Sequence, residues 1–281
     1  MNRVRLIVGL VAAGLFLLLF GPPRALAQWR GWRLGRFAAP RFQRLLLAAL
    51  RVEVRVHGRP TAGSRLIVAN HVSWLDIPVL GSIEPMTFLA KKEVGAPAIG
   101  GRLARLQGII FVDRRRRRGI PAVNAEMAKT MKTGEPVVLF AEATTGDGGR
   151  ILPFRSSHFE AVRQAAVDAA GTAIQPVFLE YSRLVGLRVG RRERPLFAWY
   201  GDMTFTPHFL RFIAAGQTRC DVHYGPPIAV SPGTSRKILA RQTELKVREL
   251  AGAARAAKDL FSATPVRRRK ETASAGDPIC P

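Results

Sequence analysis

Cysteine is nearly absent from this chain: Cys220 and Cys280 are the only two. Two widely spaced thiols give no disulfide framework and no ligand set at metal spacing, and neither is placed to act as a nucleophile. Acidic side chains are also scarce, 20 Asp and Glu against 44 Lys and Arg, so the formal net charge is +24. Such a charge fits either nucleic acid or an anionic bilayer, which attracts clustered Lys and Arg by about 1 kcal/mol per residue. No helix-turn-helix, zinc-ligand or aromatic RNA-binding signature accompanies it, so no nucleic-acid partner is expected. Gly95, Gly100 and Gly101 do not form a nucleotide-binding loop, and there is no internal repeat.

One long hydrophobic run is present. Arg3 and Arg5 precede uninterrupted apolar sequence from Leu6 to Phe20, closed by Gly21, Pro22 and Pro23. The run is somewhat short for a full span of roughly 20 residues, and Ala25, Leu26, Ala27 resembles a signal-peptidase site. Arg24, Arg30, Arg33 and Arg36 follow it and favour a cytoplasmic C-terminal side, so an uncleaved anchor in the inner membrane, with the rest of the chain facing the cytoplasm, is expected. Gln43 to Leu50 reads as a short amphipathic helix at the interface or as a core-packing helix.

A chain of 281 residues with 47% hydrophobic content can bury a substantial core. Strand-like segments at Val52–Val56, Met86–Ala90, Ile109–Val112, Val137–Ala141 and Thr172–Phe178 alternate with helical spacing at Ile99–Leu106, Ile120–Met131 and Ser157–Ala169. Leu196–Tyr200 and Cys220–Tyr224 complete the expected sheet. The fold class is α/β, a mostly parallel central sheet flanked by helices, with an N-terminal membrane-anchoring helix. Four segments follow: an anchor and amphipathic piece at 1–50, a catalytic domain at 51–232, a C-terminal helix at 233–263, and a disordered basic tail at 264–281. The C-terminal helix alternates basic and apolar residues, as a helix on the domain or on a membrane surface does.

Chemistry is concentrated where strands end. Asn70, His71, Val72, Ser73, Trp74, Leu75 and Asp76 follow the apolar run Leu66 to Ala69. In a continuous helix, residues five apart point roughly 140° away from each other. With His71 in a turn and Asp76 in the first helical turn, the two can meet. A carboxylate accepting from one imidazole nitrogen fixes the tautomer and leaves the other nitrogen as a base. Ser73 more naturally caps the helix than acts as nucleophile, so the base acts on a hydroxyl brought by the substrate.

Ile109 to Val112 runs into Asp113 and Arg114, at the carboxyl end of a strand where open α/β sheets bind ligands. The planar fork of Arg114 suits a phosphate or carboxylate. Arg115 to Arg118 read as a solvated basic loop. Val137 to Phe140 ends in Ala141, Glu142, Ala143, Thr144, Thr145, Gly146, Asp147 and Gly148, giving Glu142 the same placement as His71 and Arg114; it could hold substrate hydroxyls or orient Arg114. The fourth block, Ala173 to Phe178, is interrupted by Pro176 and reads as an edge strand or the wall of a cleft.

In order and spacing, these blocks resemble the four motifs of the glycerolipid acyltransferases typified by bacterial 1-acyl-glycerol-3-phosphate acyltransferase, over about residues 50 to 230. Asn70, His71 and Asp76 match the first motif; Asp113 and Arg114 match the second. The third, usually phenylalanine-proline-glutamate-glycine-threonine, reads Phe140, Ala141, Glu142, Ala143, Thr144. Ala143 replaces a glycine, and alanine carries a steric cost at positive φ. Thr144 to Gly148 with Arg150 to Arg155, and Trp199 to Met203 with His208, resemble the branch that acylates lyso-ornithine lipid.

The resemblance implies catalysis by His71 and Asp76, and substrate binding by Asn70, Arg114, Glu142 and Thr144. It also implies transfer of an acyl group to the free hydroxyl of a lysolipid from a thioester of acyl carrier protein or coenzyme A, which is a co-substrate. No resident cofactor or metal is expected. The alternative is a membrane-anchored basic protein that binds anionic lipid or nucleic acid without catalysis. His57, His158, His208 and His223 read as structural, with His208 a candidate through the branch resemblance alone.

Overall fold

Strands buried on both faces need continuous apolar sequence, and Leu66–Ala69 and Val137–Phe140 meet that need. The computed structural model describes residues 38–91, 109–112, 119–231 and 233–262, with the isolated positions 7 and 11. In chain order its elements are α1 (Ala38–Ala49), β1 (Val52–His57), β2 (Arg65–Ala69), α2 (Asp76–Gly81), β3 (Thr87–Lys91), β4 (Ile109–Val112), α3 (Ile120–Lys132) and β5 (Val137–Phe140). A 3-10 turn, Ser157–Phe159, leads into α4 (Glu160–Asp168), followed by β6 (Ala173–Leu184) and β7 (Leu187–Arg188). A second 3-10 turn, Arg194–Leu196, precedes α5 (Phe205–Ala215), β8 (Thr218–Tyr224), β9 (Ile228–Ala229) and α6 (Arg236–Ser262).

The strands form one sheet in the order β1-β8-β6-β2-β5-β3-β4, with β7 and β9 also paired to β6. From β6 through β2, β5, β3 and β4 every pairing is parallel. β8 runs antiparallel to β6 and carries β1 parallel to itself. Alternation along β2 divides the core: Ile67 and Ala69 meet α1, α2 and α5 through Leu47, Val79 and Phe212. Leu66 and Val68 meet α3, α4 and α6 through Met127, Val162 and Leu239. Two helical layers therefore cover the sheet, as the mostly parallel α/β expectation requires.

The structure corrects two readings. β6 is central, not an edge, and it tolerates Pro176 because its partner changes there, from β9 at Ile174 to β8 at Val177. Gly225 N donates to Pro176 O, 2.9 Å, on the side of that gap, where the imino nitrogen has no ladder bond to give. Leu196–Tyr200 is not a strand either: Pro195 sits within the 3-10 turn Arg194–Leu196, and Phe197 and Ala198 pack as a buried cover, tied to the site by a Trp199 N to Val72 O bond of 2.9 Å.

α5 has no counterpart among the sequence-based expectations; Pro207 in its first turn hides the helical period. α1 packs Leu47 into the core, and Arg44 Nε donates to Ser82 O, so the segment at Gln43–Leu50 is a core-packing helix in this structure. α6 lies on the domain: Val247, Ala251 and Ala254 cover Phe178, and Arg248 Nη2 donates to Ile151 O. The apolar run Leu6–Phe20, the segment Ile99–Leu106 and the tail 264–281 fall outside the described residues, Ile7 and Val11 excepted. Among the described residues no helix is long and apolar enough to cross a membrane.

Candidate active site

Parallel register sets the site's height. Ala69 is opposite Phe140 in the β2–β5 pairing, so the residues leaving the two strands, His71 and Glu142, emerge side by side. His71 N donates to Glu142 Oε1 at 3.2 Å, and Gly146 N donates to His71 O at 2.8 Å. The two loops are thereby tied together. The imidazole stacks on Phe140, centroids 4.0 Å apart and 12° between planes.

Asp76, the first residue of α2, is completely buried. Its Oδ2 lies 2.8 Å from His71 Nδ1 and accepts from the backbone N of Val72 at 2.7 Å and of Ser73 at 2.9 Å. Its Oδ1 accepts from the Tyr181 hydroxyl at 2.7 Å. An ionised carboxylate only accepts, so this arrangement puts the ring proton on Nδ1 and leaves the lone pair on Nε2. That nitrogen has no partner among the described residues. Burial raises the Tyr181 phenol well above its usual value, with Asp76 adding to the effect, so the phenol remains a donor to Asp76.

Other expected site residues divide. Asn70 is buried and both ends of its amide are engaged: Nδ2 donates to Leu179 O at 3.0 Å, and Oδ1 accepts from Leu179 N at 2.8 Å. It clamps the turn to β6. Thr144 is exposed on the turn after β5. Arg114, with Asp113, lies outside the described residues. Ser73 is fully buried and its Oγ accepts from Leu75 N at 3.3 Å; it is Asp76, reaching back, that takes the amides ahead of α2. Ala143 adopts φ 62, the left-handed region anticipated for that position, where a side chain costs about 1–2 kcal/mol.

Sequence reasoning missed Tyr181, Leu179 and the Phe140 stack. The first two enter from β6, more than a hundred positions away in the chain. Trp74, between His71 and Asp76 in the dyad's turn, packs among Phe205, Phe209 and Phe212 of α5, and Phe205 leaves part of that face exposed. His208 is structural: Trp74 Nε1 donates to its Nδ1 at 3.3 Å, its Nε2 donates to Ala198 O at 3.1 Å, and burial lowers its pKa. His57 pairs with Asp221 and stacks on His223, and His158 bonds Asn124.

Burial pushes the Glu142 carboxyl up to about 7, against the lowering effect of the Leu152 and His71 amides. Its Oε2 is buried with no hydrogen bond among the described residues. The unfolded chain releases this proton near pH 4.5, whereas the folded chain keeps it to about pH 7. The stability it contributes is therefore full below pH 4.5 and lost as pH rises through about 7. Glu142→Gln, uncharged throughout, is expected to gain over wild type by on the order of 2–3 kcal/mol between pH 4 and pH 8. Thermal denaturation across that range checks it; a difference independent of pH would contradict the raised carboxyl.

A family model described as Acyltransferase matches residues 51–180. The lyso-ornithine lipid O-acyltransferase of Brucella abortus is 39% identical over 225 residues, covering 78% of this chain and 83% of the relative. That of Rhizobium meliloti is 34% identical over 236 residues, 83% and 81% of the two chains. A 1-acyl-sn-glycerol-3-phosphate acyltransferase of Neisseria meningitidis is 36% identical over 149 residues, 52% and 56%. In fold, the chain is similar to the crystal structure of the 1-acyl-sn-glycerophosphate acyltransferase of Thermotoga maritima, with a TM-score of 0.58, 16% identity, and coverage of 89% of this chain and 96% of that one.

Proposed function

The chain belongs to the acyltransferase family, and from that premise we propose how it acts as a lysolipid acyltransferase: His71, oriented by Asp76, is the general base, and the acyl donor is a thioester. The observation that supports this most directly is the 2.8 Å contact of His71 Nδ1 with the buried Asp76, which leaves Nε2 free. In the proposed reaction Nε2 takes the proton of the acceptor hydroxyl as its oxygen attacks the thioester carbonyl. The tetrahedral oxyanion collapses, the carbon–sulfur bond breaks, and the leaving thiolate takes the proton from the imidazolium. Ester and free thiol are the products, and no acyl-enzyme forms. A thiolate leaves readily, so positioning and oxyanion stabilisation carry most of the burden.

For the acceptor we favour a lyso-ornithine lipid over lysophosphatidate. The relatives named for the former match about four-fifths of this chain, whereas the Neisseria relative named for the latter matches about half. Acyl carrier protein, acidic where this chain is basic, is the proposed carrier of the donor. The apolar surface of Trp74 and Phe205 beside the dyad suits a bilayer-borne substrate. The run Leu6–Phe20 is the proposed anchor in the inner membrane, with the catalytic part on the cytoplasmic face.

Lipid extraction after expression in a host lacking its own phosphatidate-forming enzyme tests the choice. Ornithine lipid formed once its lyso precursor is supplied, without rescue of growth, is the expected outcome. Rescue of growth without the precursor would overturn the proposed acceptor.

A further inference from the structure

A cleft of about 490 Å³ is lined by Asp147, Gly149, Arg150, Arg191, Arg194 and Tyr200. It joins two separate sequence stretches, the loop after β5 and the segment around the Arg194–Leu196 turn, with Tyr200 following that turn. Asp147, Arg150 and Tyr200 fall in the two strings by which the sequence resembles the lyso-ornithine branch, 144–155 and 199–203. The fold brings both strings to one place.

The chemistry of the cleft is two-signed. Among the described residues the guanidinium groups of Arg150, Arg191 and Arg194 have no ion-pair partner, nor has Asp147, whose Oδ1 accepts only from Gly149 N at 2.8 Å. A Cβ on Gly149 would stand 2.7 Å from Arg194 Nη1 and 3.2 Å from each Asp147 carboxylate oxygen, so both signs converge over that one glycine. Unpaired guanidinium groups suit a carboxylate or phosphate; an adjacent free carboxylate suits an ammonium and disfavours a purely anionic group.

The cleft also adjoins the dyad. Asp147 and Arg194 line a second, smaller crevice together with Val72 and Tyr181, both of which hydrogen-bond Asp76. The same loop is fixed to His71 through Gly146.

We propose that this cleft holds the headgroup of the acceptor lipid when that headgroup is an amino acid, Arg191 and Arg194 binding its carboxylate and Asp147 its ammonium. The inference rests on the lysolipid reading above, and it assigns these residues to acceptor choice, not to the chemical step. Ornithine carries both charged groups, whereas a glycerol phosphate carries negative charge only.

The test uses the full-length chain in detergent micelles and measures equilibrium binding of lyso-ornithine lipid, its carboxyl methyl ester and lysophosphatidate, with acyl transfer assayed in parallel. Wild type is expected to bind the free acid about tenfold more tightly than the ester. Arg191→Gln and Arg194→Gln should each remove most of that preference, and Asp147→Asn should weaken lyso-ornithine binding while improving that of lysophosphatidate. Lys132→Gln, equal in charge change but on α3 away from the cleft, should bind as wild type does.

Equal binding of acid and ester by wild type, no binding of either, or no effect of the two arginine variants would overturn the assignment. A larger loss for lysophosphatidate than for lyso-ornithine lipid in the arginine variants would make this a phosphate site and overturn the amino-acid headgroup. Binding that follows the expected pattern with no acyl transfer by wild type would sink the enzymatic reading and leave the cleft assignment standing.

Discussion

Replacing His71 with alanine is expected to lower kcat for acyl transfer by about 10³-fold or more, the scale of a general base that no other group can replace. The acceptor hydroxyl is a poor nucleophile until its proton is taken, and the fully buried Ser73 offers no substitute base. The fold should survive. His71 is 18% exposed, and without it Asp76 still accepts from Val72 N, Ser73 N and the Tyr181 hydroxyl. Its removal therefore leaves no buried charge unsatisfied, and the expected change in Tm is a few degrees. Turnover by the purified variant, measured beside its melting curve, decides the matter. More than a tenth of wild-type turnover in a folded variant would argue against the base role.

Asp76 should respond differently to its two substitutions. Asp76→Ala leaves the Val72 and Ser73 amides and the Tyr181 hydroxyl without their acceptor in a site closed to solvent. Each orphaned buried group costs about 1–3 kcal/mol, which together is a large share of a typical folding stability of about 5–15 kcal/mol. That variant is expected to misfold or to melt far below wild type. Asp76→Asn keeps one carbonyl oxygen for the amides and can turn its amino group to the Tyr181 oxygen, so it should fold. It nevertheless lacks the negative charge that steadies the imidazolium formed when His71 takes a proton. A fall in kcat of about 10²-fold with KM within threefold is the expected signature of a positioning carboxylate. An unchanged kcat in the asparagine variant would reduce Asp76 to a purely structural hub.

Much of the fold follows from local pattern. Segments buried on both faces announce themselves as short apolar runs, and β2, β5 and the first half of β6 lie where those runs lie. Amphipathic spacing likewise located α3 and α4. The failures centre on proline, whose effect depends on what lies opposite it in the fold. Pro176 argued for an edge, yet β6 is central because the gap between β8 and β9 falls opposite that one residue. Leu196–Tyr200 has the composition of a strand, but Pro195 turns it, and its apolar residues are satisfied by lying across Tyr181, whose ring stacks with Phe197 at 5.3 Å.

Sequence alone determined that His71 and Asp76 are able to meet, because both belong to one short turn whose geometry is local. It also placed Glu142 at the end of an apolar, strand-like run, and the family resemblance marked position 143 as one where alanine replaces the usual glycine, which the structure then shows at positive φ. Tertiary structure decided what holds the dyad in place: Tyr181 on Asp76 and Leu179 on Asn70 come from β6, 105 and 109 positions away. It also decided that Asp147, Arg150, Arg191, Arg194 and Tyr200 share one cleft. Periodicity reveals which faces are apolar, but strand order and register are fixed by pairing between segments far apart in the chain, and only that pairing sets which strand ends stand side by side.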